Sequence, residues 1–214
     1  MAALPPNPRG DRRRRRVGLL GGSFNPAHSG HRHVSLVALK RLRLDEVWWL
    51  VSPQNPLKPV AGMAPFRTRL AEAAALARHP RIRVTGIEAR LGTRFTADTL
   101  ESLARRFPAA RFVWLMGADN LIQLPRWERW TTILRTVPVA ILARSPYSQR
   151  AFAGKAARRF AEARLPARQA GILAEAEPPA WVFLHTRLHP ASATSIRAVK
   201  ESAVMTGDNH STSE

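Results

Sequence analysis

Apolar residues arrive in this chain as short unbroken runs, separated by longer stretches in which they recur every three or four positions. The runs at 17–20, 47–51, 112–116, 137–142 and 181–185, with an alternating pattern over 82–87, predict six strands. Helical spacing appears between them. Over 32–44, Val34, Val37, Ala38 and Leu42 fall on one side and Lys40, Arg41 and Arg43 on the other. Further helices are predicted over 66–78, 99–107, within 121–135 and over about 195–203. Strands alternating with helices predict an α/β fold, a doubly wound, mostly parallel sheet with helices on both faces and a small C-terminal helical part. Ligands of such sheets bind beyond the carboxyl ends of the strands. The stretch 145–179, helical at first and loose afterwards, reads as a peripheral insertion.

Composition narrows this picture. With 214 residues, 45% of them apolar, the chain can bury the core of a single domain, expected over 17–204. No apolar run approaches the ~18 residues needed to span a bilayer, and the first sixteen residues lack the apolar stretch of a secretory signal. The chain has no cysteine, so a disulfide scaffold is excluded and a cytoplasmic location is expected. Residues 1–16, rich in Pro and Arg, are expected to form a disordered basic leader, and 205–214 a disordered tail. The net charge of +19 attracts polyanions. Phosphorylated substrates and nucleic acid both answer to it, as does plain arginine usage.

The candidate chemistry starts where the first strand ends. Gly21-Gly22-Ser23-Phe24-Asn25-Pro26-Ala27-His28-Ser29-Gly30-His31 lies between a strand and a helix. Paired glycines there permit positive φ and a close approach of phosphate to bare backbone, while the helix start offers unpaired N–H groups and a positive dipole end. His28 and His31, three apart, can project to one side of the first helical turn and share an oxygen. Two histidines in a loop are otherwise solvated or cap the helix. Farther along, Lys58 sits in a loop stiffened by Pro53, Pro56 and Pro59. Asp98 and Glu101 have the spacing of a helix-capping pair. Asp119 follows a predicted strand through Gly117 and Ala118; a carboxylate there accepts from ribose or adenine, or caps the next helix. Trp127 is suited to stacking on a flat ring or to packing in the core beside Trp130. Ser192, Thr194 and Arg197 open the last predicted helix, where an arginine opposes the dipole unless an anion is bound.

In that order these segments resemble the nucleotidyltransferase superfamily of the H-x-G-H type, and most closely its nicotinate-nucleotide adenylyltransferase family. The matches run from residue 18 to residue 197. The resemblance implies a Rossmann-like fold and transfer of the adenylyl group of ATP to nicotinate mononucleotide, giving deamido-NAD and pyrophosphate. It implies His28, His31, Lys58 and Arg197 as catalytic residues, and Gly21, Gly22, Ser23, Phe24, Gly30, Asp119, Ser192 and Thr194 as ATP-binding. Asn25, Phe95, Thr96, Trp127 and Arg144 are implied for the pyridine nucleotide, Phe95 and Thr96 through backbone N–H groups. Two positions depart from the family pattern: Phe95 stands where a tyrosine is common, and Ala193 replaces a serine. Mg²⁺ is expected, held by ATP phosphates and water with no metal site of protein ligands. The expected partners are ATP and the mononucleotide, with no membrane and no nucleic acid, and assembly into a homo-oligomer is left open. The alternatives are another adenylyl- or cytidylyltransferase of the superfamily, or a basic nucleic-acid-binding protein.

Overall fold

The structure, a computed structural model, describes residues 3–53, 62–143 and 148–186. In chain order its elements are β1 (Arg15–Gly22), α1 (Ser29–Arg41), β2 (Glu46–Val51), α2 (Phe66–Ala77), β3 (Ile82–Thr85), α3 (Ile87–Leu91), α4 (Thr96–Arg106) and β4 (Ala110–Gly117). Then follow α5 (Ala118–Gln123), a 3-10 turn (Leu124–Arg126), α6 (Trp130–Thr136), β5 (Val139–Ala143), α7 (Ser148–Ala153), α8 (Lys155–Arg159), β6 (Arg164–Leu165), a 3-10 segment (Ala167–Glu175) and β7 (Trp181–His185).

Among the described residues the strands form one sheet in the order β3-β2-β1-β4-β5-β7-β6, and every pair is parallel. Both faces are covered, which is why the strands read as apolar runs rather than alternations. All six residues of β2 are buried. Neighbouring residues serve opposite cores: Leu19, Trp48 and Trp114 join one cluster with Leu100, Leu103 and Ile133, while Leu20, Trp49 and Leu115 join another with Ala38, Leu42 and Ala73. The strand order turns back on itself between β1 and β4, which opens a crevice at their carboxyl ends.

Several expectations are corrected. β3 stops at Thr85, and Ile87 opens α3 instead of ending a strand; a side chain at Gly86 between them would collide with the Phe66 ring. α4 begins at Thr96 with Phe95 as its N-cap, so Asp98 and Glu101 are not a capping pair. Their carboxylates instead hold the Arg129 guanidinium at 2.7 and 2.6 Å. Pro125 and the left-handed Arg129 (φ 50°) divide the helix expected within 121–135. The stretch 145–179 is not merely peripheral: β6 extends the sheet beside β7, and Ala170, Leu173 and Ala174 are buried. Arg15 and Arg16, expected in the leader, are the first residues of β1, paired with Ala110 and Arg111. Before them, Asp11 holds Arg15 at 2.7 Å, and Arg83 donates to the Leu4 carbonyl at 2.6 Å. The helix expected over 195–203 and the tail lie outside the described residues, among which no helix is long and apolar enough to cross a membrane.

Candidate active site

Gly21 and Gly22 remain in the extended strand β1, and the chain turns only afterwards. Neither uses the positive φ that glycine permits. Gly21 is needed for another reason: a Cβ there would lie 2.4 Å from Cη2 of Trp114. The left-handed position falls to Phe24, at φ 48°, a conformation costing a residue of this size ~1–3 kcal/mol. Its ring fixes it there, being 2% exposed and stacked 5.2 Å from Trp49. Asn25 then spans the turn, its side chain donating to the Gly62 carbonyl at 3.2 Å and accepting from the Ala64 N–H at 3.1 Å.

This turn delivers the chain to α1 with His28 as N-cap. The His28 N–H donates to Nδ1 of His31 at 3.2 Å, and the two rings stand 3.9 Å apart. Because Nδ1 of His31 accepts this bond, a neutral ring here carries its proton on Nε2. Phe24 backs the His31 ring at 4.6 Å. From behind, Trp49 Nε1 donates to Ser35 Oγ at 2.7 Å, and Ser35 Oγ donates to the His31 carbonyl at 2.8 Å. No acidic residue occupies the first turn of α1, where the dipole is positive.

A cleft opens beside the pair, at the carboxyl ends of the strands. Leu20 and Gly21 of β1, Leu115, Met116 and Gly117 of β4, and Leu142 of β5 form its floor, and His28, Gly30, His31 and Val34 one wall; Asn120 closes it from α5. The expected residues His28, His31, Gly21 and Gly30 are therefore brought together. Ser23 and Phe24 are buried in the turn and do not line the cleft. Gly22, Asn25, Asp119, Phe95, Thr96 and Trp127 do not line this cleft. Phe95 and Thr96 begin α4, whose first-turn N–H groups have no acceptor within the helix, and Trp127 packs partly against the core. Lys58, Arg144, Ser192, Thr194 and Arg197 lie outside the described residues.

A family model described as cytidylyltransferase-like matches residues 19–199. A protein of Cereibacter sphaeroides described as a probable nicotinate-nucleotide adenylyltransferase is 61% identical over 85% of this chain and 96% of its own length. The chain belongs to the cytidylyltransferase-like family, in its nicotinate-nucleotide adenylyltransferase branch. A Parvibaculum lavamentivorans protein of the same description is 57% identical over 85% of this chain and 90% of its own. Among solved structures, Plasmodium falciparum nicotinic acid mononucleotide adenylyltransferase complexed with NaAD matches with a TM-score of 0.65, covering 86% of this chain and 82% of that one. At 14% identity, that likeness is one of fold.

Sequence reasoning missed Asn120 in the cleft and two buried charged residues that do not line it, Glu88 and Arg69. Asn120 adjoins the acid singled out at 119, and only the direction of α5 shows that it is the one facing the cleft. Glu88 is 9% exposed in α3, and burial pushes its carboxyl up to about 7, opposed by hydrogen bonds from Ser52 and Thr99. Arg69, on α2, is 1% exposed and bonds four main-chain carbonyls beneath the turn.

Proposed function

We propose that this protein transfers the adenylyl group of ATP to nicotinate mononucleotide, releasing pyrophosphate and forming deamido-NAD in cytoplasmic NAD biosynthesis. The observation that carries this reading is the imidazole pair at the start of α1, beside Gly21 in the crevice where the strand order reverses. The mononucleotide's 5′-phosphate, with a second pKa near ~6, is largely a dianion at neutral pH and attacks the α-phosphorus without a base. What remains is placement: bringing two anions in line and holding the charge that builds on the α-phosphoryl oxygens and the departing pyrophosphate.

His31, with its proton on Nε2, donates to a phosphate oxygen, and His28 contributes a second donor from the helix start. Lys58 and Arg197 supply fixed positive charge in this reading, with Ser192 and Thr194 as further phosphate donors. The first N–H groups of α4, at Phe95 and Thr96, receive the pyridine carboxylate, with Trp127 and Arg144 completing that subsite. The described residues include no group of three or more His, Asp or Glu suited to a metal. A magnesium ion is expected on triphosphate oxygens and water, where it would neutralise the leaving pyrophosphate.

The test compares pyrophosphate release from ATP and Mg²⁺ with nicotinate mononucleotide against nicotinamide mononucleotide. Turnover of the acid well above that of the amide is expected. Turnover of neither would overturn the reading, and preference for the amide would overturn its substrate assignment.

A further inference from the structure

Arg69 is the fourth residue of α2, whose opening sequence, Phe-Arg-Thr-Arg-Leu-Ala-Glu, looks like an ordinary solvated surface. Yet its side chain is enclosed, and its partners are all main-chain oxygens. Nε donates to Ala64 at 2.9 Å, Nη1 to Ser23 at 2.5 Å and to Ser52 at 2.8 Å, and Nη2 to Pro53 at 2.9 Å. Four carbonyls on three segments converge on one planar fork: the turn after β1, the end of β2 and the chain entering α2. The Phe66 ring lies 5.6 Å from its Cζ, and among the described residues no carboxylate forms an ion pair with it. Burial lowers the guanidinium pKa from its usual value, but arginine keeps its proton in proteins.

A buried cation without a counter-charge is costly and persists where its hydrogen bonds are many and well aimed. Here they meet at the residue that needs holding. The Ser23 carbonyl shares a rigid peptide plane with the N–H of Phe24, the residue in the left-handed conformation. Fixing that oxygen fixes the plane, and with it the direction in which the chain leaves for His28. Asn25 ties the same turn to Gly62 and Ala64, so a second side chain braces it from the opposite end. Lysine would keep the charge but could not reproduce a planar fork bonding four oxygens.

We propose that Arg69 is a positioning residue of the transfer reaction: by clamping the Ser23, Ser52, Pro53 and Ala64 carbonyls it sets the turn that presents the His28–His31 pair before nucleotide binds. This rests on the adenylyl-transfer reading for its kinetic consequence but not for its structural one. Two measurements on Arg69→Lys separate them. Backbone amide exchange is expected to quicken at residues 23–25, 27 and 28 while β4 and β5 stay at wild-type rates. Turnover at saturating ATP and nicotinate mononucleotide is expected to fall about 100-fold, the scale of a misplaced reacting group, with each KM within about threefold of wild type.

Leu103→Ala, in the core on the far side of the sheet, is the control for lost stability alone. The proposal is overturned by unchanged exchange in the turn, or by a turnover loss no larger than that of Leu103→Ala at the same melting temperature. If the wild type turns over neither mononucleotide, the functional reading fails. The exchange comparison then decides for or against Arg69 unaided. Arg69→Gln, planar and neutral, goes through the same comparison if the lysine variant does not fold.

Discussion

His28 and His31 are held by what lies behind them: the backbone bond between them, the Phe24 ring under His31, and the chain from Trp49 through Ser35 to the His31 carbonyl. Phe24, Trp49 and Ser35, which build the support, are more deeply buried than the two imidazoles, as a preorganised donor pair requires. Glu88 makes a separate prediction at this scale. Its carboxyl, about 7 in the folded protein against an ordinary 4.5, binds its proton more tightly when folded than when unfolded. The stability it contributes is therefore complete below about pH 4.5, is lost as pH rises toward 7, and changes no further above that. At 1.36 kcal/mol per pH unit the difference is on the order of 3 kcal/mol. Urea unfolding of wild type and Glu88→Gln across pH 4.5–8 is expected to show the variant gaining relative stability by that order as pH rises. Parallel curves would show that the carboxyl titrates normally.

At the scale of elements, the strand-to-helix turn works because β1 and β4 fit each other through one glycine. Gly21→Ala drives a methyl group into the far ring of Trp114, 2.4 Å from Cη2, and is expected to cost ~1–3 kcal/mol. Trp114→Phe removes the atoms it meets. The double variant is then expected to lose less than the sum of the single losses, and strict additivity in thermal unfolding would contradict the contact.

Most of these elements were legible because a sheet covered on both faces leaves a plain signature, as in 47–51, where every position is apolar. What escaped was decided by tertiary contacts. β6 is two residues long and exists only because Trp181 and Val182 pair with it. The break at Arg129 comes from a left-handed residue held by Asp98 and Glu101, which local spacing had assigned to a helix cap. Of the candidate site, the histidines and Gly21 could be read from their order along the chain. Arg69 could not, because a polar residue in an alternating helix gives no sign of facing inward.

For the molecule as a whole, the charge of +19 matters through its field. Both proposed substrates are anions, so attraction acts on their encounter with the enzyme more than on the chemical step. Raising NaCl from about 0.05 to about 0.3 M, which shortens the screening length below ~10 Å, is expected to lower kcat/KM for ATP several-fold while kcat at saturation holds. A salt-independent kcat/KM would mean that the arginines are incidental to substrate capture.

The sheet topology, the reversal between β1 and β4, and the helix that starts at Ser29 bring the structure to one point, the imidazole pair. The most direct measurement is chromatographic detection of deamido-NAD formed from ATP and nicotinate mononucleotide by wild type, His28→Ala and His31→Ala. Product from wild type is expected, with at least a ~100-fold loss of turnover in either variant and an unchanged circular dichroism spectrum. A folded His31→Ala enzyme working at close to the wild-type rate would contradict the account.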